Sequence, residues 1–233
     1  MSGLLKSTIA RKVAMALSGL FLVLFLAQHL TVNFTSVISA ELFNSFSHFM
    51  GNNFVVQALL QPVLIFGVVF HFIMGIYLEI KNNRARAVNY VKFNGSANSS
   101  WVSRNMIFSG AVVLAFLGLH FYDFWVPEMI HKYVETNPIG ENSTRYYEDL
   151  VTKFESPVRV GLYVIAFIFL MLHLLHGFAS SFQSLGVKNK YQEGIKGYQD
   201  SASKWVRGLT TAYAIIVPLG FIFIALYHYI NTL

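Results

Sequence analysis

The sequence predicts an all-α membrane protein, a single bundle of five transmembrane helices across residues 1–233, with the N-terminus inside and the C-terminus outside. Three observations predict it. The composition is 55% hydrophobic and 16% aromatic against 12% charged, a balance that belongs, when gathered into long runs, to chains solvated by lipid. Five runs are long enough to cross a hydrocarbon core, which takes about 20 apolar residues: Val13–Ile38, Phe54–Ile80, Met106–Val126, Val158–Phe182 and Val206–Ile230. The basic residues fall on one side of them. Lys6, Arg11 and Lys12 precede the first run, Lys81, Arg84, Arg86, Lys92 and Arg104 join the second to the third, and Lys188, Lys190, Lys196, Lys204 and Arg207 join the fourth to the fifth. Thirteen of the 17 Lys and Arg thus share a side, which the positive-inside rule places in the cytoplasm. The opposite side holds Lys132, Arg145, Lys153 and Arg159 among Asp123, Glu128, Glu135, Glu141, Glu148, Asp149 and Glu155. The net charge of +6 is then a topology signal, and no nucleic-acid partner is expected.

Each element has its own signature. The first run is too long for the apolar region of a secretory signal, and Gln28-His29 interrupts its end, so it reads as a retained helix. Between Glu41 and Met50, Leu42, Phe43, Phe46, Phe49 and Met50 recur at helical spacing with Asn44, Ser45, Ser47 and His48 opposite. That pattern predicts a short amphipathic helix at the outer interface. Pro62 and Pro218 lie inside the second and fifth runs, where each removes a helical hydrogen bond and is expected to kink its helix. Asn94–Ser100 reads as a local turn, and the acidic stretch Glu128–Glu155 as a solvated outer cap. Cysteine is absent, which excludes disulfides, a protein-ligated iron–sulfur cluster and haem attached through C-x-x-C-H.

The chemistry lies in the histidines. Imidazole inside hydrocarbon is costly, so an intramembrane histidine is a functional candidate by default, and its neutral form is a common metal ligand. His29, His71, His120 and His173 sit inside the first four helices, one on each. At about 1.5 Å per residue, His29 lies about 26 Å and His120 about 24 Å from the inner end, and His71 and His173 each about 15 Å. The four therefore form an outer pair and an inner pair. Two imidazoles per level suit two six-coordinate haems b, whose irons take four further ligands from the porphyrin. His71 and His173 share the pattern H-x-x-x-G with Gly75 and Gly177, a bare backbone one turn away that a flat macrocycle could approach. His176, about 60° round the helix from His173, reads equally as a second donor near the inner haem or as polar packing. His48 reads as an interfacial polar residue able to donate to a ring carbonyl, His131 as a solvated loop residue and His228 as an interfacial one.

Four segments carry a family resemblance: Q-H-L-T-V-N at Gln28–Asn33, F-N-S-F-S-H-F-M at Phe43–Met50, H-F-I-M-G-I-Y at His71–Tyr77 and H-L-L-H-G at His173–Gly177. With the order of the histidines, they make the chain resemble the cytochrome b membrane subunit of succinate dehydrogenase/fumarate reductase, in its single-subunit, five-helix, di-haem form. The resemblance implies that His71 and His173 ligate the haem nearer the catalytic subunits and His29 and His120 the outer one, with His176 close enough to compete with His173. It also implies partners on the cytoplasmic side, a flavoprotein that interconverts succinate and fumarate and a three-cluster iron–sulfur subunit. The expected function is electron transfer between that iron–sulfur partner and a membrane quinone, taken as menaquinone, in a bacterial inner membrane. The dicarboxylate chemistry would lie on another chain. The short helix is expected either to pack a quinone near the outer level on Phe43, Phe46 and Phe49, with Asn44, Ser45 and His48 offering hydrogen bonds, or merely to seal the haem from solvent. Two other functions compete. One is the cytochrome b of another membrane oxidoreductase, such as a hydrogenase or formate dehydrogenase. The other is a histidine-relay transporter, against which stands the placement of Asp123 and Glu79 at helix ends, away from His29, His71 and His173.

Overall fold

Serines set the entry and exit of the first helix. In the computed structural model, which describes residues 7–84, 105–135, 144–186 and 201–233, the Ser7 hydroxyl accepts from Ala10 N at 3.5 Å and opens α1, Thr8–Ile38. Ser39 is extended (φ −159°, ψ 131°), ends α1, and at once caps α2, Ala40–Asn52, by accepting from Leu42 N. One residue therefore turns the chain from a membrane-crossing helix into the short helix expected at the interface.

Asn53 closes α2 and starts the next element, its Oδ1 accepting from Val55 N and Val56 N. Helix α3 begins as a wide turn, Val56–Leu60, and continues as Gln61–Arg84. Helix α4 comprises Met106–His120, a second wide turn Phe121–Trp125, and Val126–Tyr133. In both wide turns a backbone N–H reaches five residues back, Gln61 to Val56 and Val126 to Phe121. Each lies just ahead of a proline, Pro62 and Pro127. Proline cannot donate to the carbonyl four residues earlier, and widening the preceding turn is one way to absorb the loss. At Pro62 the expected disturbance thus takes the form of a widened turn, whereas α7 runs through Pro218 without interruption.

Helix α5, Arg145–Phe154, lies on the same end of the bundle as α2. Helix α6, Pro157–Ser184, starts with proline in its first turn and Ser156 as cap, and α7 spans Ser201–Asn231. Five helices, α1, α3, α4, α6 and α7, are long and apolar enough to cross a membrane, and no strand occurs among the described residues.

The buried core sits at the end capped by α2 and α5. Phe43, Leu150, Phe154, Val160, Tyr163, Phe167, Val217, Phe221 and Ile224 pack there, joining both cap helices to α6 and α7. A smaller cluster, Val23, Leu174 and Ala214, ties α1, α6 and α7 further along. Leu150 and Phe154 correct the reading of 128–155 as a solvated cap, because one face of α5 belongs to the core. His228 is corrected too: it is 2% exposed, donating to or accepting from Ser36 Oγ at 2.8 Å in the seam between α1 and α7. His131 lies on the last turn of α4 rather than a loop, paired with Glu135 at 3.2 Å. Helix α3 packs mainly on α1, with Gly67 against the Phe21 ring, and leaves Phe66, Ile73 and Ile80 exposed to the surroundings. The segment Asn94–Ser100 and the basic residues Lys6, Arg86, Lys92, Arg104, Lys188, Lys190 and Lys196 lie outside the described residues.

Candidate functional site

Four helices bring the four intramembrane histidines together as two pairs. Toward the capped end, His29 of α1 meets His120 of α4 with ring centroids 5.7 Å apart and planes at 81°. Toward the far end, His71 of α3 meets His173 of α6 at 6.4 Å and 75°. Two imidazoles sharing one metal, each about 2 Å from it through a ring nitrogen, place their ring centres about 6 Å apart. Both pairs lie near that separation. Among the described residues no three His, Asp or Glu side chains gather to hold a bare metal ion. Two imidazoles alone do not complete the shell of zinc; they suit an iron whose other ligands come from a macrocycle. All four residues are only half-buried by the chain itself, although each lies on a helix apolar enough to cross a membrane. A group seated between the helices would cover them, so these residues fit haem.

The far-end pair has a repeated local design that the sequence reading passed over. Ser18 donates to Met15 O at 2.9 Å and lies 3.0 Å from His71 Nδ1. Ser109 donates to Met106 O at 2.9 Å and lies 3.4 Å from His173 Nδ1. A serine whose hydroxyl proton stays on its own helix can accept from Nδ1–H, an arrangement that would leave Nε2 its lone pair. That is the tautomer a metal ligand needs, fixed by its outer hydrogen bond. Next to each serine is a glycine: a Cβ at Gly19 would come within 3.3 Å of His71 Cε1, and at Gly110 within 3.4 Å of His173 Cε1. The dipeptide Ser-Gly thus recurs on α1 and α4, a signal present in the sequence at Ser18-Gly19 and Ser109-Gly110. At the two glycines singled out in the sequence, a Cβ would meet a methionine methyl, that of Met15 at 3.5 Å from Gly75 and that of Met106 at 3.2 Å from Gly177. His176 turns toward its own helix, with Nε2 3.2 Å from Ser180 Oγ.

The capped-end pair is packed by rings. Phe25 stacks on His29 at 5.3 Å and Phe221 lies 5.7 Å away, while Phe116 and Phe124 flank His120 at 5.8 and 5.3 Å. His120 Nδ1 is buried without a hydrogen-bond partner. Asp123 departs from its sequence reading as a helix-end acid: it is 1% exposed and paired with Tyr163 and Arg159. No periodicity could show this, because the wide turn that carries it breaks the helical spacing.

Above this pair the cap is wired to the bundle. Glu128 accepts from Lys132 at 2.7 Å, from the Tyr146 hydroxyl at 2.7 Å and from Arg145, whose guanidinium also lies over the Tyr146 ring. Lys132 and Gln57 both donate to Gly51 O at the end of α2. Burial opposes the charge of Arg145, but the adjoining Glu128 overrides it and holds the guanidinium protonated beyond its usual range. Burial and the bond to Glu128 push the Tyr146 phenol up. Asn44 is buried and accepts from Tyr147 N at 3.0 Å, fastening α2 to α5. Phe43 points into the core, whereas Phe46 and Phe49 are exposed. His48 lies edge-on to Tyr146 at 4.8 Å, and its Nε2 is buried without a partner among the described residues.

No family model matches the chain, and no solved structure matches it. In sequence it is 22% identical over 165 residues to the succinate dehydrogenase cytochrome b558 subunit of Bacillus subtilis (strain 168), a match covering 70% of this chain and 73% of that one. Over most of its length, the chain resembles a cytochrome b subunit of succinate dehydrogenase.

Proposed function

We propose that the chain is the di-haem b membrane anchor of a succinate:quinone oxidoreductase, carrying electrons between an iron–sulfur partner and membrane quinone. The observation that carries this reading is the presence of two imidazole pairs at two levels of one helical bundle. The named relative, a cytochrome subunit of succinate dehydrogenase, supports it. His71 and His173 would hold one haem and His29 and His120 the other. Haem, when bound, supplies one-electron chemistry at iron, at a potential set by axial ligands and surroundings.

The chain's own residues supply the setting. Ser18 and Ser109 orient the far-end imidazoles, and Phe25, Phe116, Phe124 and Phe221 keep water from the capped-end pair. The excess of Lys and Arg in the sequence segments that join the spans on that side supports a far end facing the cytoplasm across a bacterial inner membrane, where flavoprotein and iron–sulfur partners would dock. The capped end is then the outer one. The Nε2 of His48, without a partner among the described residues and beside the exposed Phe46 and Phe49, favours the edge of α2 for a quinone head group, menaquinone in this reading, with its tail in lipid. Asn44, taken up by Tyr147, serves the cap instead.

Quinone chemistry at the outer end makes the electron path cross most of the membrane dielectric, where each elementary charge is worth about 2.3 kcal/mol per 100 mV. The assembled complex in sealed vesicles should catalyse succinate-linked quinone turnover whose rate changes when an uncoupler collapses the membrane potential. Turnover without any response to potential would place the quinone at the inner end, and no succinate-linked turnover at all would reject the function.

A further inference from the structure

Asp123 is the one carboxylate fully buried among the described residues, at 1% exposure. A charge within a membrane span is costly unless paired, and one that persists marks function by default. The wide turn Phe121–Trp125 carries it, directly after His120. The Tyr163 hydroxyl donates to its Oδ2 at 2.8 Å, and Arg159 Nη1 lies 3.3 Å from Oδ1. Oδ1 nonetheless receives no hydrogen bond, and His120 Nδ1 on the same helix also has none. Tyr163 links the two groups, its ring 6.4 Å from that of His120. Arg159 is 27% exposed while Asp123 is enclosed, so the ion pair has its anion inside and its cation toward the surface. The far-end pair is built differently: the hydroxyls beside its imidazoles, Ser18 and Ser109, are neutral.

We propose that Asp123, held by Tyr163 and Arg159, tunes the redox centre that His29 and His120 hold, its negative charge favouring the oxidised state. This rests on the di-haem reading above. Asp123 touches no substrate and acts through the field at the imidazole pair, which makes it a positioning residue rather than a catalytic one. The orientation of the ion pair makes the two partners act with opposite sign. Asp123→Asn keeps the side-chain shape and an acceptor for Tyr163 but removes the anion, leaving Arg159 uncompensated. Arg159→Gln removes the cation and leaves the anion.

The test is a redox titration of the purified complex followed in the haem absorbance, with haem content measured in every variant and electron paramagnetic resonance reporting the ligand set. Asp123→Asn should raise the midpoint of the capped-end haem by about 59 mV, a tenfold change in its one-electron equilibrium, and leave the other haem in place. Arg159→Gln should lower the same midpoint. Shifts in the same direction, or none in either variant, overturn the inference and leave the ion pair as a tie between α4 and α6. If Asp123→Asn loses the capped-end haem, Arg159→Gln decides alone: a fall supports the inference, and no change or a rise overturns it. A wild-type complex with fewer than two haems per chain overturns the di-haem reading itself, and the tuning role with it.

Discussion

His173→Ala should halve the haem content and abolish succinate-linked quinone reduction, while His176→Ala should retain both haems and most of the activity. The two residues are one turn apart on α6, and composition cannot separate them. Geometry does. The His173 ring faces His71 at 6.4 Å, and its Nδ1 is oriented by Ser109. The Nε2 of His176 is engaged 3.2 Å away by Ser180 of its own helix. If His71 and His173 hold one haem, removing either imidazole takes away half of what the chain offers that group. Haem quantification and difference spectra on both variants decide the matter. Loss of haem from His176→Ala with retention in His173→Ala would reverse the assignment.

Glu128→Ala should destabilise the protein by about 3 kcal/mol, the scale for removing one partner from a buried ion pair. Glu128 is the acceptor for Lys132, Arg145 and the Tyr146 hydroxyl. The side chains of Glu128, Lys132 and Arg145 are 14%, 9% and 16% exposed, so water does little to replace the lost anion. Lys132 and Arg145 would remain beside each other beneath α2, with the more exposed Asp149, 3.3 Å from Arg145, as a nearby anion. Glu128→Gln keeps one acceptor oxygen and should cost less than the alanine variant. Thermal unfolding of the detergent-solubilised complex should therefore rank wild type above Glu128→Gln and Glu128→Ala lowest. Equal melting temperatures would mean that α2 and α5 are held by the packing of Phe43, Leu150 and Phe154 and the Asn44–Tyr147 bond, without help from Glu128.

The five spans were legible because long apolar runs admit few alternatives in a chain this poor in charge. Their ends were less so: α1 begins at Thr8 and α4 runs to Tyr133, since turns beyond the hydrocarbon continue the backbone pattern without the apolar signal. The histidines could be sorted by depth because helical rise converts sequence separation into height. What rise cannot give is azimuth. Gly75 and Gly177 sit one turn along the same helices as their histidines, but the backbones that abut the rings, at Gly19 and Gly110, come from neighbouring helices. Asp123 was hidden for another reason. It stands among aromatic residues near the end of an apolar run, where a helix-end acid is ordinary, and only the wide turn and the return of α6 bury it against Tyr163 and Arg159. The cap helix α5 looked solvated because Glu148, Asp149 and Lys153 mask the two residues, Leu150 and Phe154, that join the core.

The central claim is that four imidazoles hold two haems in one chain. A pyridine-haemochrome assay against protein mass on the purified complex tests it most directly. Two haems b per copy of this chain are expected, falling to one in either His29→Ala or His71→Ala. A single haem in the wild type, or none, would contradict it.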